Sequence, residues 1–247
     1  MASFARTCSL FAATIALIGL AGAHFGLLAP LTGFVVCMGG ALLGGLLSVI
    51  LSLVGIATTR GGRDPGDRSK AWTGLAVGLG LILAVLAGWA GSGAAGVDRE
   101  AASINDISTD LEDPPAFAPA SVVPEYAGRD MAYPAEFAPI VRSGYPDLAP
   151  LVTDAPVDAT FARALEVAEE LGFEIVARND PDHTFDAREA TFLFRFVDDV
   201  VVRVRPEGSG SRVDVRSKSR DGRGDLGANA QRIRRFLDAL RSAGSAS

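Results

Sequence analysis

Four cationic side chains lie within eight residues near the end of the chain, in a strand-like segment that runs into a predicted helix. Asp225 is a suitable N-cap for that helix, whose first turn has free backbone N–H groups. Cations beside a helix start suit a carboxylate, phosphate or sulfate group. This pattern predicts an anion site formed by Arg216, Lys218, Arg220, Arg223, Asp225 and Asn229.

The distribution of charge offers a second interpretation of these cations. Residues 98–202 contain 22 acidic and 7 basic side chains, whereas residues 203–247 contain 5 acidic and 11 basic ones. The arginines would then neutralise the acidic segment inside the fold instead of binding an external anion. A net charge of −6 argues against non-specific nucleic-acid binding.

A third interpretation is catalytic. Asp106, Asp110 and Asp225 could act as paired carboxylates with an arginine clamp, provided that the fold brings them into one pocket. A purely structural salt-bridge network would use the same residues. We favour a binding module over an enzyme and keep all three interpretations.

Several other chemistries are excluded or disfavoured. Residues 222–227 match G-x-G-x-x-G, but a dinucleotide site needs a further parallel strand and a ribose-binding acid about 20 residues on. No G-x-S-x-G elbow occurs. A polar turn explains His183 and the aspartates near it. Both cysteines, Cys8 and Cys37, lie in or beside apolar tracts, so the rest of the chain can form no disulfide and no Cys-based zinc site. We expect no cofactor and no metal.

Two tracts carry no Asp, Glu, Lys or Arg, one between Thr7 and Thr59 and one between Ala71 and Val97. A bilayer-spanning helix needs about 20 apolar residues. The first tract predicts two spans, over 10–28 and 31–57, with Pro30 in the turn between them. The second predicts a third span, so residues 1–97 form a membrane anchor.

The segment 58–70 sets the predicted orientation. It contains Arg60, Arg63, Arg68 and Lys70, and short basic loops stay in the cytoplasm. The chain after the third span is therefore extracytoplasmic, which means periplasmic in a Gram-negative cell with the anchor in the inner membrane. An alternative makes residues 1–23 a cleaved signal peptide without changing this orientation.

Glycine pairs spaced four residues apart occur in each predicted span. Such spacing permits close helix approach. Packing of the three helices against one another is the simpler interpretation, and homo-oligomerisation through the Gly-rich faces is the alternative. These pairs are Gly22/Gly26, Gly40/Gly44 and Gly74/Gly78.

The remainder predicts an extended Pro-rich arm over 98–150 and an α+β domain over 151–247. The arm contains aromatic residues, including Phe117 and Tyr126, that favour packing on the domain over a disordered spacer. The domain pattern predicts helices over 156–171 and 226–240 around four or five antiparallel strands. Those strands cover 173–177, 184–187, 191–197, 200–205 and 212–219, with Asp198-Asp199 as a turn.

Two long motifs carry a family resemblance. Ile104–Asp110 and Val213–Arg220, the latter continuing through Gly224–Asn229, resemble the domain of unknown function 1499 family over about residues 103–241. The resemblance implies no established activity. It does imply that the segments 104–110 and 214–229 belong together. We expect them to meet in space and to form the family's site, with Asp106 and Asp110 as candidate ligand-binding residues beside the cations.

The sequence thus predicts a multi-pass membrane protein with an extracytoplasmic α+β domain. Its expected partners are the membrane itself and an anionic ligand, an anionic lipid or an envelope protein. A carboxylate–arginine enzyme acting at the membrane surface and a purely structural module remain the alternatives.

Overall fold

The computed structural model describes residues 2–59, 65–91 and 96–244. The chain divides into two compact units. One consists of residues 1–95 together with the short segment Thr191–Arg195, and the other of residues 96–190 and 196–247.

The first unit is built from apolar helices. They are α1 (Ala2–His24), α2 (Pro30–Met38), α3 (Gly45–Thr58) and α4 (Pro65–Gly91), with a π-helical turn, Gly39–Gly44, joining α2 to α3. Three stretches are long and apolar enough to span a membrane, namely Ala2–His24, Pro30–Thr58 and Gly66–Gly91. This agrees with the three predicted spans. Arg60, Arg63 and Asp64 of the predicted cytoplasmic loop lie outside the described residues.

Glycines allow these helices to approach closely. A Cβ on Gly40 would lie 2.7 Å from the backbone nitrogen of Ala16, and one on Gly78 would lie 2.8 Å from the carbonyl oxygen of Gly45. Gly44 and Gly74 are equally crowded, whereas a Cβ on Gly26 would meet no described atom within 4 Å. A Cβ on Gly22 would lie 2.6 Å from the Cδ1 atom of Leu28, so intramolecular packing accounts for five of the six paired glycines.

The second unit contains an antiparallel sheet of six strands. They are β1 (Asp106–Ser108), β2 (Leu151–Thr153), β3 (Glu174–Asn179), β4 (Thr184–Ala190), β5 (Val197–Glu207) and β6 (Gly210–Ser219). The order is β1-β6-β5-β4-β3, and β2 also pairs with β6. The three helices are α5 (Phe137–Gly144), α6 (Val157–Glu170) and α7 (Ala228–Gly244). The predicted α+β class is confirmed, whereas β1, β2 and α5 were not predicted because each is short.

Helices cover one face of the sheet. Alternate residues of β5 and β6, such as Val202 and Val215, point into this layer, where Phe161 of α6 and Ile233 of α7 are also buried. Period-two alternation in the strands and a 3.6-residue stripe in the helices produce this core directly. Burying these apolar side chains is its main source of stability.

The Pro-rich segment covers the opposite face. Phe117, Val123 and Tyr126 are buried there with Val201 of β5. Arg188, Asp199, Lys218 and Asp106 follow one another across this face through register pairs. The arm is therefore packed on the domain and is not a disordered spacer.

One strand prediction is wrong. Thr191–Val197 is not a strand, and Asp198-Asp199 is not a turn, because β5 already begins at Val197. The connection between β4 and β5 contains Phe192, Phe194 and Arg195 instead. The alternating phenylalanines have the pattern typical of a half-buried strand, which explains the wrong prediction. Asp198 lies inside β5, where it pairs with Glu189 of β4 and with Ser219 of β6.

Candidate functional site

The arm-facing side of the sheet holds most of the predicted site. Side chains alternate between faces along a strand, so β6 directs Arg212, Asp214, Arg216 and Lys218 to the same side. Neighbouring strands β1 and β5 contribute Asp106 and Asp199. The predicted meeting of segments 104–110 and 214–229 is confirmed, since Asp106 pairs with Lys218 and Ser108 with Arg216.

Arg216 is enclosed by internal partners. Its Nε and Nη2 donate to the two carboxylate oxygens of Asp106 at 2.8 and 2.7 Å. The same guanidinium donates to the carbonyl oxygens of Pro115 and Met131, and its carbon lies 4.8 Å from the centre of the Phe117 ring. Only 2% of Arg216 is exposed. The fold therefore uses this cation internally.

Lys218 and Arg220 also have carboxylate partners. The Lys218 ammonium donates to Asp106 at 2.9 Å. Arg220 donates two hydrogen bonds to Asp199, from Nε to Oδ2 at 2.9 Å and from Nη2 to Oδ1 at 2.6 Å. The Asp199 side chain is 1% exposed. Arg223, in contrast, is exposed. Three of the four predicted cations thus have internal carboxylate partners, and the fourth is exposed.

Asp110 lies in a second cluster of charges. Arg205 and Arg212 contact its Oδ2 at 2.8 and 3.0 Å, and both also pair with the fully buried Asp214. Burial opposes ionisation of Asp110, but the backbone N–H groups of Asp113 and Glu112 and the guanidinium of Arg205 outweigh it, so its pKa lies below the ordinary value. The pairing keeps Asp110 ionised.

The side chain of Asp225, just before α7, caps the start of that helix. Asp225 accepts hydrogen bonds at 2.8 Å from the backbone N–H groups of Gly227 and Asn229. These are two of the N–H groups that were predicted to receive an anion. The Asp225 carboxyl group therefore occupies that position itself; burial raises its pKa, and the hydrogen bonds from Asn229 and Gly227 oppose this rise.

Asn229 belongs to a polar network on the helix-covered face, which sequence reasoning missed. Its Oδ1 accepts from Ser217 at 2.6 Å and from Arg232 at 2.8 Å. Arg232 continues to Glu189 at 2.7 Å and to Asp198. Arg232, at the fifth position of an otherwise amphipathic helix, carries only a weak sequence signal, since arginines usually face water.

Asp186 is a further residue that the sequence did not single out. It is 3% exposed and accepts a 2.9 Å hydrogen bond from the backbone N–H of Ala118. Burial raises its pKa to about 6, although that hydrogen bond favours the ionised form. Burial and the nearby Asp186 also raise the pKa of Tyr126.

A cavity of about 430 Å³ adjoins Asp186. Arg203, Arg178 and Phe117 also line it, so apolar and charged groups are mixed. Arg203 pairs with Asp113 at 3.1 Å and with Asp214 at 3.2 Å. A buried carboxyl group beside a cavity is a common feature of functional sites.

The arm-facing strands, the arm and α7 all fall within one family region. The model of a family described as a protein of unknown function, DUF1499, matches residues 106–240, more than half of the chain. The chain belongs to the DUF1499 family. A comparison with curated proteins finds no match. The match begins at Asp106 and includes Arg216, so both members of the most buried ion pair lie inside the DUF1499 region.

Proposed function

We propose that this DUF1499 protein is an integral membrane protein whose family domain is a binding module on the extracytoplasmic side. The observation that carries the proposal is the succession of three helices long and apolar enough to cross a bilayer, followed directly by the domain. The basic segment between the second and third helix supplies the orientation, with Arg68 and Lys70 at the start of α4. Three crossings then leave the domain opposite the cytoplasm, in the periplasm of a Gram-negative cell.

Binding is favoured over catalysis by the predicted carboxylates. Asp106 forms ion pairs with two cations and Asp110 with arginines. Asp225 accepts hydrogen bonds from backbone N–H groups at the helix start. A general acid or base needs a proton affinity near the working pH and access to substrate. Partners lower the pKa of Asp110, and although burial raises the pKa of Asp225, internal donors already engage all three carboxyl groups.

A protein partner is favoured over an anionic lipid. The segment 98–247 contains 27 acidic and 18 basic side chains. In its most basic stretch, 203–247, cations such as Arg216 and Arg220 form ion pairs inside the domain. The outer face of α6 remains net acidic, because Glu166, Glu169 and Glu170 are exposed there and Arg163, which contacts Glu166 and Glu170 at 2.8 and 3.4 Å, is the one cation among them. Such a surface repels anionic headgroups and attracts basic partners.

Carboxylate chemistry in the arm-side cavity is the second candidate function. Asp186 is favoured for it because burial raises its pKa to about 6, and Arg203 lines the same cavity. A group with that pKa exchanges a proton near neutral pH. A ligand in the cavity would then contact both the Asp186 carboxyl group, as a proton donor, and the Arg203 guanidinium.

Orientation is tested with reporters fused after Ser247. Alkaline phosphatase, which is active only outside the cytoplasm, should be active, and green fluorescent protein should be dark. The matched control places the same reporters after Arg63, where the outcome should be reversed. A fluorescent fusion after Ser247 would contradict the proposed orientation.

The ligand class is tested separately on the full chain in lipid nanodiscs. Inorganic phosphate in the millimolar range should leave the melting temperature unchanged, because a ligand raises it only by binding the folded state. If phosphate stabilises the protein, and this effect disappears in Arg220→Glu but persists in Arg241→Glu, the result would support an anion site at Arg220. Stabilisation that disappears in Asp186→Asn would favour the cavity.

A further inference from the structure

The short segment Thr191–Arg195 belongs to the unit of apolar helices, although it lies about one hundred residues after them in the chain. It carries two large apolar side chains in the open, with Phe192 76% and Leu193 52% exposed. Arg195 has a φ of 60°, so the segment ends in a tight backbone turn. A soluble loop has no reason to expose such side chains, whereas a lipid-facing one does.

Contacts within this unit fix the segment beside the end of α1 and the start of α2. The Nδ1 atom of His24 lies 3.0 Å from the carbonyl oxygen of Phe192, and the two rings meet edge to face at 5.4 Å. Phe194 contacts Phe34 with ring centres 5.2 Å apart. Phe194 also packs against the buried cluster of Ala16, Cys37 and Ala41. Phe194 therefore anchors the segment and leaves its neighbours outward.

The turn between α1 and α2 exposes side chains of the same kind. Phe25 is 73% and Leu27 80% exposed, on either side of Gly26, whose φ of 71° permits the turn. This turn ends one membrane-spanning helix and begins the next. Polypeptide at that depth faces the boundary between headgroups and acyl chains, where aromatic side chains are enriched.

We propose that Phe192 and Leu193, together with Phe25 and Leu27, insert into the bilayer at the boundary between headgroups and acyl chains. The inference rests on the proposed membrane anchoring. The proposed three crossings agree with it, because the end of the first span and the exit of the third then lie on the same side. A bilayer would cover all four apolar side chains at once.

The occupant is lipid acyl chain and not a headgroup charge. The exposed side chains are hydrocarbon, so insertion should not depend on the sign of the headgroup. Binding of this kind responds to the hydrophobic interior of the membrane, in contrast to the salt-sensitive attraction of a basic patch.

The test uses spin labels on the full chain in vesicles of phosphatidylethanolamine and phosphatidylglycerol. Cys8→Ser and Cys37→Ala remove the native thiols, and single labels are then placed with Leu193→Cys and with Ser209→Cys, an exposed position in the β5–β6 connection. Collision rates with oxygen, which concentrates in lipid, and with a water-soluble nickel chelate are compared. The ratio of oxygen to nickel collisions should be several-fold higher at position 193 than at position 209, and unchanged in vesicles of zwitterionic lipid alone.

A third label separates this inference from the anchor. Leu47→Cys lies on the exposed side of α3, where 51% of the leucine is accessible. If position 47 reports lipid and position 193 reports water, the insertion proposal is overturned while the anchor stands. If both report water, anchoring itself fails. A label at 193 that neither reagent reaches would show a protein-covered loop and would also overturn the insertion proposal.

Discussion

Asp106 and Arg216 form a two-pronged ion pair across the first and last strands of the sheet, 110 residues apart in sequence. Asp106 is inaccessible to water and Arg216 is 2% exposed. Arg216 also donates to the carbonyl oxygens of Pro115 and Met131 in the arm. One guanidinium therefore ties together β1, β6 and the Pro-rich segment that covers them.

Arg216→Met should be strongly destabilising. It leaves the buried Asp106 carboxylate with only Lys218, and breaking a buried pair costs about 3–5 kcal/mol of unfolding free energy. Pulse proteolysis of the full chain in detergent micelles over a urea series measures the change. Asp106→Asn combined with Arg216→Met should recover part of the loss, because no buried charge is then left unpaired.

An exposed ion pair provides the control for that experiment. Arg241 pairs with Asp238 at 2.6 Å, with side chains 60% and 70% exposed. Arg241→Met should change stability by less than about 0.5 kcal/mol. Equal effects of the two arginine substitutions would contradict a structural role for Arg216.

Asp186→Asn should stabilise the domain at high pH. The pKa of Asp186 rises from an ordinary value of 3.8 to about 6 on folding, so its charged form is disfavoured in the fold. Its contribution is therefore fully favourable below about pH 4 and is lost as the pH rises through 6. Asparagine should add roughly 3 kcal/mol at pH 8 and nothing at pH 4, because each pKa unit corresponds to about 1.4 kcal/mol.

Urea unfolding at several pH values, followed by the same proteolysis, measures this dependence. Asp154→Asn is a suitable control, because that side chain is exposed. A difference between wild type and Asp186→Asn that stays constant from pH 4 to pH 8 would contradict burial as the cause of the pKa shift.

Asp225→Ala should destabilise the domain by about 1 kcal/mol through loss of the α7 cap. The substitution also frees the backbone N–H groups of Gly227 and Asn229. Phosphate or sulfate should then stabilise the variant more than the wild type, since a free helix start attracts anions. Thermal melts with and without phosphate measure both effects, with the exposed Arg223→Ala as the control. If the wild type gains as much from phosphate as the variant does, Asp225 does not occupy that position.

Gly78→Leu should disrupt the anchor, whereas Gly80→Leu should not. A Cβ on Gly78 would lie 2.8 Å from the Gly45 carbonyl oxygen and 3.1 Å from the Ser48 Cβ, but one on Gly80 would meet no described atom within 4 Å. Overpacking of this kind costs about 1–3 kcal/mol. The melting temperature of the detergent-solubilised protein measures it. The reverse ranking, with loss of an oligomer in Gly80→Leu, would show that the outward face binds a second copy.

Local patterns predicted much of this fold correctly. Hydropathy alone predicted the three long apolar helices, and stripes such as Phe161 to Leu171 predicted α6. Alternation predicted the cores of β5 and β6. Where alternation occurred without cross-strand pairing, at 191–196, the prediction was wrong, because periodicity describes side chains and not the partner strand.

The sequence by itself determined which segments are apolar enough to span a membrane, which faces of α6 and β6 are apolar, and that an acidic segment, 98–202, precedes a basic one, 203–247. Only the tertiary structure decided how those charges are used. Ion pairs between residues more than one hundred positions apart, such as Asp106 with Arg216, depend on strand register and on the arm that closes over them. Burial likewise gives Asp186 its raised pKa, and burial is a property of the assembled fold, not of a residue type.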